Sequence, residues 1–269
     1  MTTVVTESDF RSKAELKAKR KKVPTLYEAD ESKYAGPHRW QVQGWAKLVR
    51  KVWHEKAYAR WTRDAFADIE VHGVEHLAEL SGPCVIVGNH QSHLDTLLVD
   101  AVLPESVRRD LFFGAAQDRW FVKGKKKLVL KPWYQSLALG NFPIMRGGGK
   151  NALAYASWLL KRRQKVFLFP EGTRATGTDL GQFKHGATLL ALEHNIPIVP
   201  VYLGGVQGIR PKGSREVRKG RAYVEILPPV HFSKGSDVNA ATETLWRRMN
   251  EVHLAHTASN VEESQRDAA

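Results

Sequence analysis

From Trp40 onward apolar residues recur at helical spacing: Trp45, Leu48, Val49, Val52 and Trp53 fall at i, i+3, i+4, i+7 and i+8, with Lys47, Arg50, Lys51 and Lys56 among and just beyond them. The spacing predicts an amphipathic helix. An apolar stripe bordered by tryptophans and basic residues suits a helix lying among lipid headgroups, and it suits equally a helix packed on its own protein. Beyond residue 65 the period changes. DIEVHG alternates and GPCVIVG is a short apolar run, the mark of a strand buried on both faces. HLDTLLVDAVLP then reads as a helix stopped by Pro104. RRDLFFGAAQ gives another strand, LALGNFPIMR a turn region, and KNALAYASWLLKRRQ a helix. KVFLFPEGTR repeats the passage from strand to loop, GATLLALEHN gives a helix, and IPIVPVYLGG and RAYVEILPP give two more strands.

Strands alternating with helices predict an α/β fold: a partly parallel sheet flanked by helices, with an N-terminal amphipathic helical element and the site expected in the loops after the strands. The expected organisation is a basic arm over residues 1–36, the amphipathic element over 37–65, the α/β domain over 66–256 and a polar, fraying tail over 257–269. In the arm, seven basic residues between Arg11 and Lys22 face one acidic residue, Glu15. The N-terminus lacks the apolar core of a secretory signal. No window approaches the roughly 20 apolar residues of a spanning helix, so membrane contact is expected to be peripheral. The net charge of +13 over 269 residues favours an anionic partner without choosing among nucleic acid, membrane and phosphorylated substrate. The single cysteine, Cys84, excludes an intramolecular disulfide and sits in the apolar run, as a small buried residue would.

The candidate chemistry begins at NHQSHLD. Residues five apart on a continuous helix are rotated by about 140° from one another, so His90 and Asp95 meet only if His90 lies in the turn before the helix. From there the imidazole can fold back onto Asp95, which would hold one ring nitrogen and leave the other as a general base. A buried histidine at a strand–helix junction remains the alternative. A metal site using His90, His93 and Asp95 would have the spacing H-x2-H-x-D and no second cluster downstream to complete it. A serine hydrolase would need G-x-S-x-G, which does not occur. In KVFLFPEGTR, Glu171 and Arg174 follow a strand directly, and Lys184 comes soon after in GQFKHGA. Arg and Lys beside Gly172 and Gly186 let side chains and backbone approach a phosphate. GNFPIMRGGGK places Arg146 before three glycines.

NHQSHLD, GNFPIMR, FPEGTR and IPIVPV, in this order and spacing, resemble the four blocks of the glycerolipid acyltransferases, the family that includes lysophosphatidic acid acyltransferase. The resemblance covers about residues 66 to 230. Its most specific element is NHxxxxD followed about 80 residues later by FPEGTR. It implies that His90 deprotonates the acceptor hydroxyl, that Asp95 orients it, and that the hydroxyl attacks the thioester of acyl-CoA or acyl carrier protein directly. No cofactor or metal is called for, and Cys84 needs no role. Arg146, Glu171, Gly172, Thr173 and Arg174 match the acceptor blocks, with the arginines meeting the acceptor phosphate, and Pro197 falls in the block associated with the acyl donor. The partners implied are a lysolipid acceptor, an acyl thioester and an anionic membrane surface on the cytoplasmic side, with no nucleic acid. The run 119–133 would serve that surface or the donor nucleotide. Met145 stands where the family usually has aspartate, which leaves open another hydroxylated lipid as acceptor. A non-catalytic lipid-binding relative is the further alternative.

Overall fold

The computed structural model describes residues 39–78, 80–121, 127–147 and 152–267. The basic arm expected over 1–36 and part of the basic run 119–133 lie outside these residues.

A 3-10 turn at Arg39–Val42 leads into helix α1, Gly44–Trp53. It passes through a π-helical turn, His54–Tyr58, into α2, Ala59–Ala65. Strands β1 (Phe66–His72) and β2 (Val85–Gly88) follow, then α3 (Asp95–Val102), β3 (Leu111–Ala116) and β4 (Asn141–Ile144). Helix α4 (Ala154–Lys161), β5 (Lys165–Leu168), α5 (Gly186–His194), β6 (Ile198–Gly204) and β7 (Gly220–Ile226) lead to the last helix, α6 (Val238–Asp267). The seven strands form one sheet in the order β1-β7-β6-β2-β5-β3-β4. β6, β2, β5, β3 and β4 are mutually parallel, whereas β7 is antiparallel to β6 and carries β1 parallel to itself at the edge. The sheet is thus partly parallel, as the pattern predicts.

Two apolar layers explain the continuous apolar runs. Ile86 of β2 and Phe167 of β5 face a layer with Leu97, Leu98 and Leu103 around α3. Val85, Val87, Val166 and Leu168 face the opposite layer, with Leu159 of α4, Leu190 of α5 and Leu245 of α6. A strand covered on both faces has no polar side, which is why alternation vanishes in CVIVG and KVFLF.

Two expectations are corrected. GNFPIMR is not only a turn: Asn141–Ile144 pair with β3, Pro143 opposite Ala115. β4 is the last strand of the sheet, where a proline lacking an N–H costs no ladder bond on its open side. The polar tail does not fray at residue 257, since α6 continues to Asp267. His256 still packs on Tyr223, and beyond it residues 257–261, 265 and 266 are exposed, which is why the sequence there is polar.

Helix α1 is turned with its polar face inward. Ala46 and Arg50 are buried, while Trp45, Leu48, Val49 and Val52 are 52%, 62%, 44% and 43% exposed. Lys47 donates to Asp110 at 2.6 Å, and Arg50 donates to the Gln41 carbonyl at 3.1 Å while its guanidinium lies 4.4 Å from the centre of the Phe112 ring. Gln41, fully buried, in turn donates to the carbonyls of Ser136 and Asn141 at 3.1 and 3.0 Å. Specific polar partners therefore hold the helix to the body and leave the apolar stripe outside. Trp53 departs from the stripe: its ring meets Tyr134 edge-on, 5.5 Å between centroids.

Candidate active site

β2 stands in the middle of the sheet between β5 and β6, and the chain leaves its carboxyl end as NHQSHLD. Ligand sites of open α/β sheets lie at such carboxyl ends. Asn89 fixes the turn. Its side-chain amide donates to the Leu203 carbonyl at 2.9 Å and its oxygen accepts from the Leu203 N–H at 2.7 Å, so a side chain extends the ladder between β2 and β6. His90 then folds back, Nδ1 lying 2.7 Å from Asp95 Oδ2. Asp95 opens α3 and is fully buried. Its carboxylate does not cap the helix but accepts the N–H groups of Gln91 at 2.8 Å and Ser92 at 2.9 Å, closing the turn on itself. Burial raises the Asp95 carboxyl above its ordinary range, and the bonds from His90, Ser92 and Gln91 pull it back down. A carboxylate that accepts from its neighbours holds Nδ1 as the donor, which leaves Nε2 of His90 as the basic atom. The imidazole lies flat on Phe169, centroids 3.9 Å apart and planes 16° from parallel.

The loop after β5 is sewn to this turn. The His90 N–H donates to Glu171 Oε1 at 2.8 Å, and the Ala175 N–H donates to the His90 carbonyl at 2.8 Å. Glu171 is buried, and burial raises its carboxyl. Its role in the structure is to hold the backbone of His90 in place. Gly172 adopts φ +71°, and a β-carbon there would lie 2.6 Å from Lys184 Nζ, so the glycine makes room for that amine above the loop. Thr173 is exposed and Arg174 half-buried beside it, its guanidinium pKa lowered by burial and by Arg119 and Arg210.

The structure brings His90, Asp95, Glu171, Gly172, Thr173, Arg174 and Lys184 to one end of the sheet. Arg146 follows β4, two strands further along; its guanidinium is held by Asp118, with Nε donating to Oδ1 at 3.1 Å. Pro197 is not part of this group. It precedes β6, whose first residue, Ile198, pairs with Val85 at the start of β2, so Pro197 lies at the opposite end of the sheet from His90. Cys84 is fully buried and its thiol is pushed up to about 12 by burial, which leaves no nucleophilic thiolate. Among the described residues no group of three His, Cys, Asp or Glu side chains converges as metal ligands do.

Arg119, which opens the basic run expected to meet the membrane surface or the donor nucleotide, and Arg210, which belongs to no motif, both stand beside the turn. Arg119 Nη2 donates to His93 Nε2 at 3.0 Å, and Arg210 presents its carbonyl to the Ser92 hydroxyl at 2.8 Å. Nothing in their spacing ties them to this turn, because they lie on short helical turns, Gln117–Trp120 and Val206–Ile209 with Arg210 at its end, far from NHQSHLD along the chain.

The profile of the family described as Acyltransferase matches residues 68–204, a span that holds every residue of this site except Arg210. The chain belongs to the acyltransferase family. Its relatives include a chloroplastic 1-acyl-sn-glycerol-3-phosphate acyltransferase of Arabidopsis thaliana, 34% identical over 69% of this chain and 50% of the relative. The human 1-acyl-sn-glycerol-3-phosphate acyltransferase alpha is 32% identical over 60% of this chain and 54% of its own. The chain thus spans about half the length of these relatives. The acyltransferase fold is also that of the 1-acyl-sn-glycerophosphate acyltransferase PlsC of Thermotoga maritima, with a TM-score of 0.61 at 22% identity over 79% of this chain and 80% of that one.

Proposed function

We propose that this acyltransferase moves a fatty acyl chain from a thioester, acyl-CoA or acyl carrier protein, to the free hydroxyl of 1-acyl-glycerol-3-phosphate. The observation that carries the reading is the His90–Asp95 pair, with Asp95 fully buried and the histidine 21% exposed, so that one ring nitrogen is anchored while the other faces the open end of the sheet. Nε2 takes the proton of the acceptor hydroxyl as its oxygen bonds to the thioester carbonyl carbon. The tetrahedral adduct then expels the thiolate, which recovers the proton from the imidazolium. One ester forms, one thioester breaks, and no acyl-enzyme is needed. Arg174, with Gly172, Thr173 and Lys184 lining the same loop, meets the acceptor phosphate. Because Arg146 is paired with Asp118, its part in acceptor binding requires an anion that outcompetes an exposed carboxylate, which surface ion pairs readily allow.

The substrates are lipids, and the outward stripe of α1 supplies a place to meet them. Trp45, Leu48, Val49 and Val52 point away from the body, and Trp61, Leu128 and Trp133 are also exposed, with Lys51, Lys56 and Lys131 nearby in the chain. This is the composition of a surface that seats its rings at the headgroup level of an anionic bilayer, peripheral and on the cytoplasmic face. No helix among the described residues is long and apolar enough to cross a membrane.

The test is a panel of lysolipid acceptors with acyl-CoA of several chain lengths, read by mass spectrometry. Esterified 1-acyl-glycerol-3-phosphate is the expected product. Transfer to an acceptor without a phosphate in preference to it would favour the reading in which Met145 marks a different hydroxylated lipid, and no transfer to any acceptor would leave only a lipid-binding protein. In the same assay Arg174→Lys is expected to raise the acceptor KM by about tenfold, because an ammonium lacks the guanidinium's paired donors.

A further inference from the structure

Three arginines stand at the NHQSH turn, two held beside it by backbone contacts and one by its guanidinium. The residue after Arg174, Ala175, donates its N–H to the His90 carbonyl at 2.8 Å. Arg210 accepts from the Ser92 hydroxyl through its carbonyl at 2.8 Å. Arg119 donates to His93 at 3.0 Å and lies over the Trp120 ring, 5.4 Å from its centroid, while His93 meets the same ring edge-on at 5.7 Å. All three guanidiniums lie within electrostatic reach of His93, whose pKa is pushed down to about 4 by burial and then by Arg174, Arg119 and Arg210, and Arg119 and Arg210 in turn lower that of Arg174. Lys212 adds a fourth cation, its Nζ donating to the Arg174 carbonyl at 2.8 Å.

Like charges gathered this way repel, and an opposite charge is what balances them. Among the described residues the carboxylates within reach are already engaged elsewhere. The carboxylate that Arg174 feels is Asp95, which is committed to His90 and to two backbone amides. Asp118, next to Arg119 in the chain and within its electrostatic reach, is bonded to Arg146. The cluster is therefore a cationic surface beside the general base whose counter-charge arrives from outside.

We propose that Arg119 and Arg210 join Arg174 in binding the phosphomonoester of the acceptor, and that His93 is a positioning residue that aims Arg119. The proposal rests on the acyl-transfer reading and adds to it a selectivity: a phosphomonoester, with close to two charges and three free oxygens, matches three guanidiniums, whereas an alcohol without phosphate or a zwitterionic diester does not. His93, kept neutral, accepts the Arg119 hydrogen bond at Nε2; a protonated ring there would repel it.

The test uses the full chain and the variants Arg119→Ala, Arg210→Ala, the double variant, Arg119→Lys and His93→Ala, each first checked for an unchanged thermal unfolding midpoint. Acceptors are a short-chain 1-acyl-glycerol-3-phosphate and the matching monoacylglycerol. Each Arg→Ala change should raise the KM for the phosphorylated acceptor about tenfold or more, the loss expected for one charge-assisted hydrogen bond. kcat and the kinetics of the monoacylglycerol should stay within about a factor of two. Arg119→Lys should recover part of the loss, and His93→Ala should mimic Arg119→Ala more weakly without changing kcat. Inorganic phosphate binding, measured by calorimetry, should weaken in parallel. Should KM for both acceptors move together, or phosphate bind equally well to the double variant, the proposal is overturned. Should phosphate binding depend on the arginines while no acceptor is acylated, the anion site stands and the acyl-transfer reading falls.

Discussion

Two histidine–aspartate pairs share helix α3. In one, His90 Nδ1 lies 2.7 Å from Asp95; in the other, His54 Nδ1 lies 2.8 Å from Asp100. Both aspartates are buried, and the contact distances are nearly the same. The pairs differ in what the second ring nitrogen meets. His54 Nε2 is bonded to the Ala138 carbonyl at 2.9 Å, and its ring stacks on Tyr58 at 4.2 Å, so every polar atom is used. His90 is stacked on Phe169 in the same manner, but no protein group holds its Nε2 among the hydrogen bonds of the described residues. A histidine satisfied at both nitrogens is a strut; one satisfied at a single nitrogen is available for proton transfer. Helical geometry separates the two tasks. Asp95 and Asp100 are five residues apart, about 140° around α3, so one faces the open end of the sheet and the other faces the π-helical turn that joins α1 to α2.

The contrast predicts opposite consequences for equivalent changes. His90→Ala should lower acyl transfer per folded molecule by about a hundredfold or more if Nε2 is the base, beyond whatever stability is lost by unpairing the buried Asp95 and vacating the Phe169 face. Measured turnover close to wild type would remove His90 from the chemistry. Asp100→Ala should do the reverse. It strands the buried His54 and weakens the anchor of Arg108, whose Nη1 lies 3.7 Å from Asp100, so chemical denaturation should show a loss of about 3 kcal/mol with kcat per folded molecule unchanged. A variant equally stable but inactive would mean that the second pair, too, serves the reaction.

Phe169→Ala tests the shared stacking. With the platform gone, the imidazole of His90 keeps its bond to Asp95 but loses a contact of roughly 1 kcal/mol, and kcat should fall by a few-fold. The smallest effect on the chemistry is expected at the end of the lever that His54 holds. Trp45→Glu, on the outward stripe, should release the protein from anionic vesicles in a flotation assay and spare turnover of a short-chain acceptor. Trp53→Glu, at the Tyr134 contact, should instead lower the unfolding midpoint. If Trp45→Glu also destabilises the fold, the stripe belongs to the core after all. Added salt should weaken vesicle binding by screening the Lys and Arg contribution and leave the apolar part in place.

Much of the site is legible in the chain because it is local. His90 and Asp95 need only a strand end and a helix start five residues apart, and the apolar run before them and DTLLVDAV after them announce both. Glu171 and Arg174 can be read the same way, as residues leaving a strand. What Glu171 does is less legible: its carboxylate holds the His90 N–H, a contact across 81 positions of the chain. Pro197 shows the limit from the other side. It has the right neighbours in sequence, yet the direction of β6 puts it at the far end of the sheet. β4 reads as a turn because it is four residues long and contains a proline, and only its place at the edge permits the strand.

The sequence by itself determined the alternation of strands and helices, the burial of the central strands on both faces and the pairing of His90 with Asp95, because each follows from periodicity or from contacts a few residues apart. Tertiary structure decided the rest: which way the stripe of α1 faces, that His54 is a strut and His90 is free, that Asp118 holds Arg146, and that Arg119, Arg174 and Arg210 stand together. An amphipathic period says that a helix has two faces but not which one is covered. Charges distant in the chain carry no mark of their neighbours until the sheet order brings their loops to the same end.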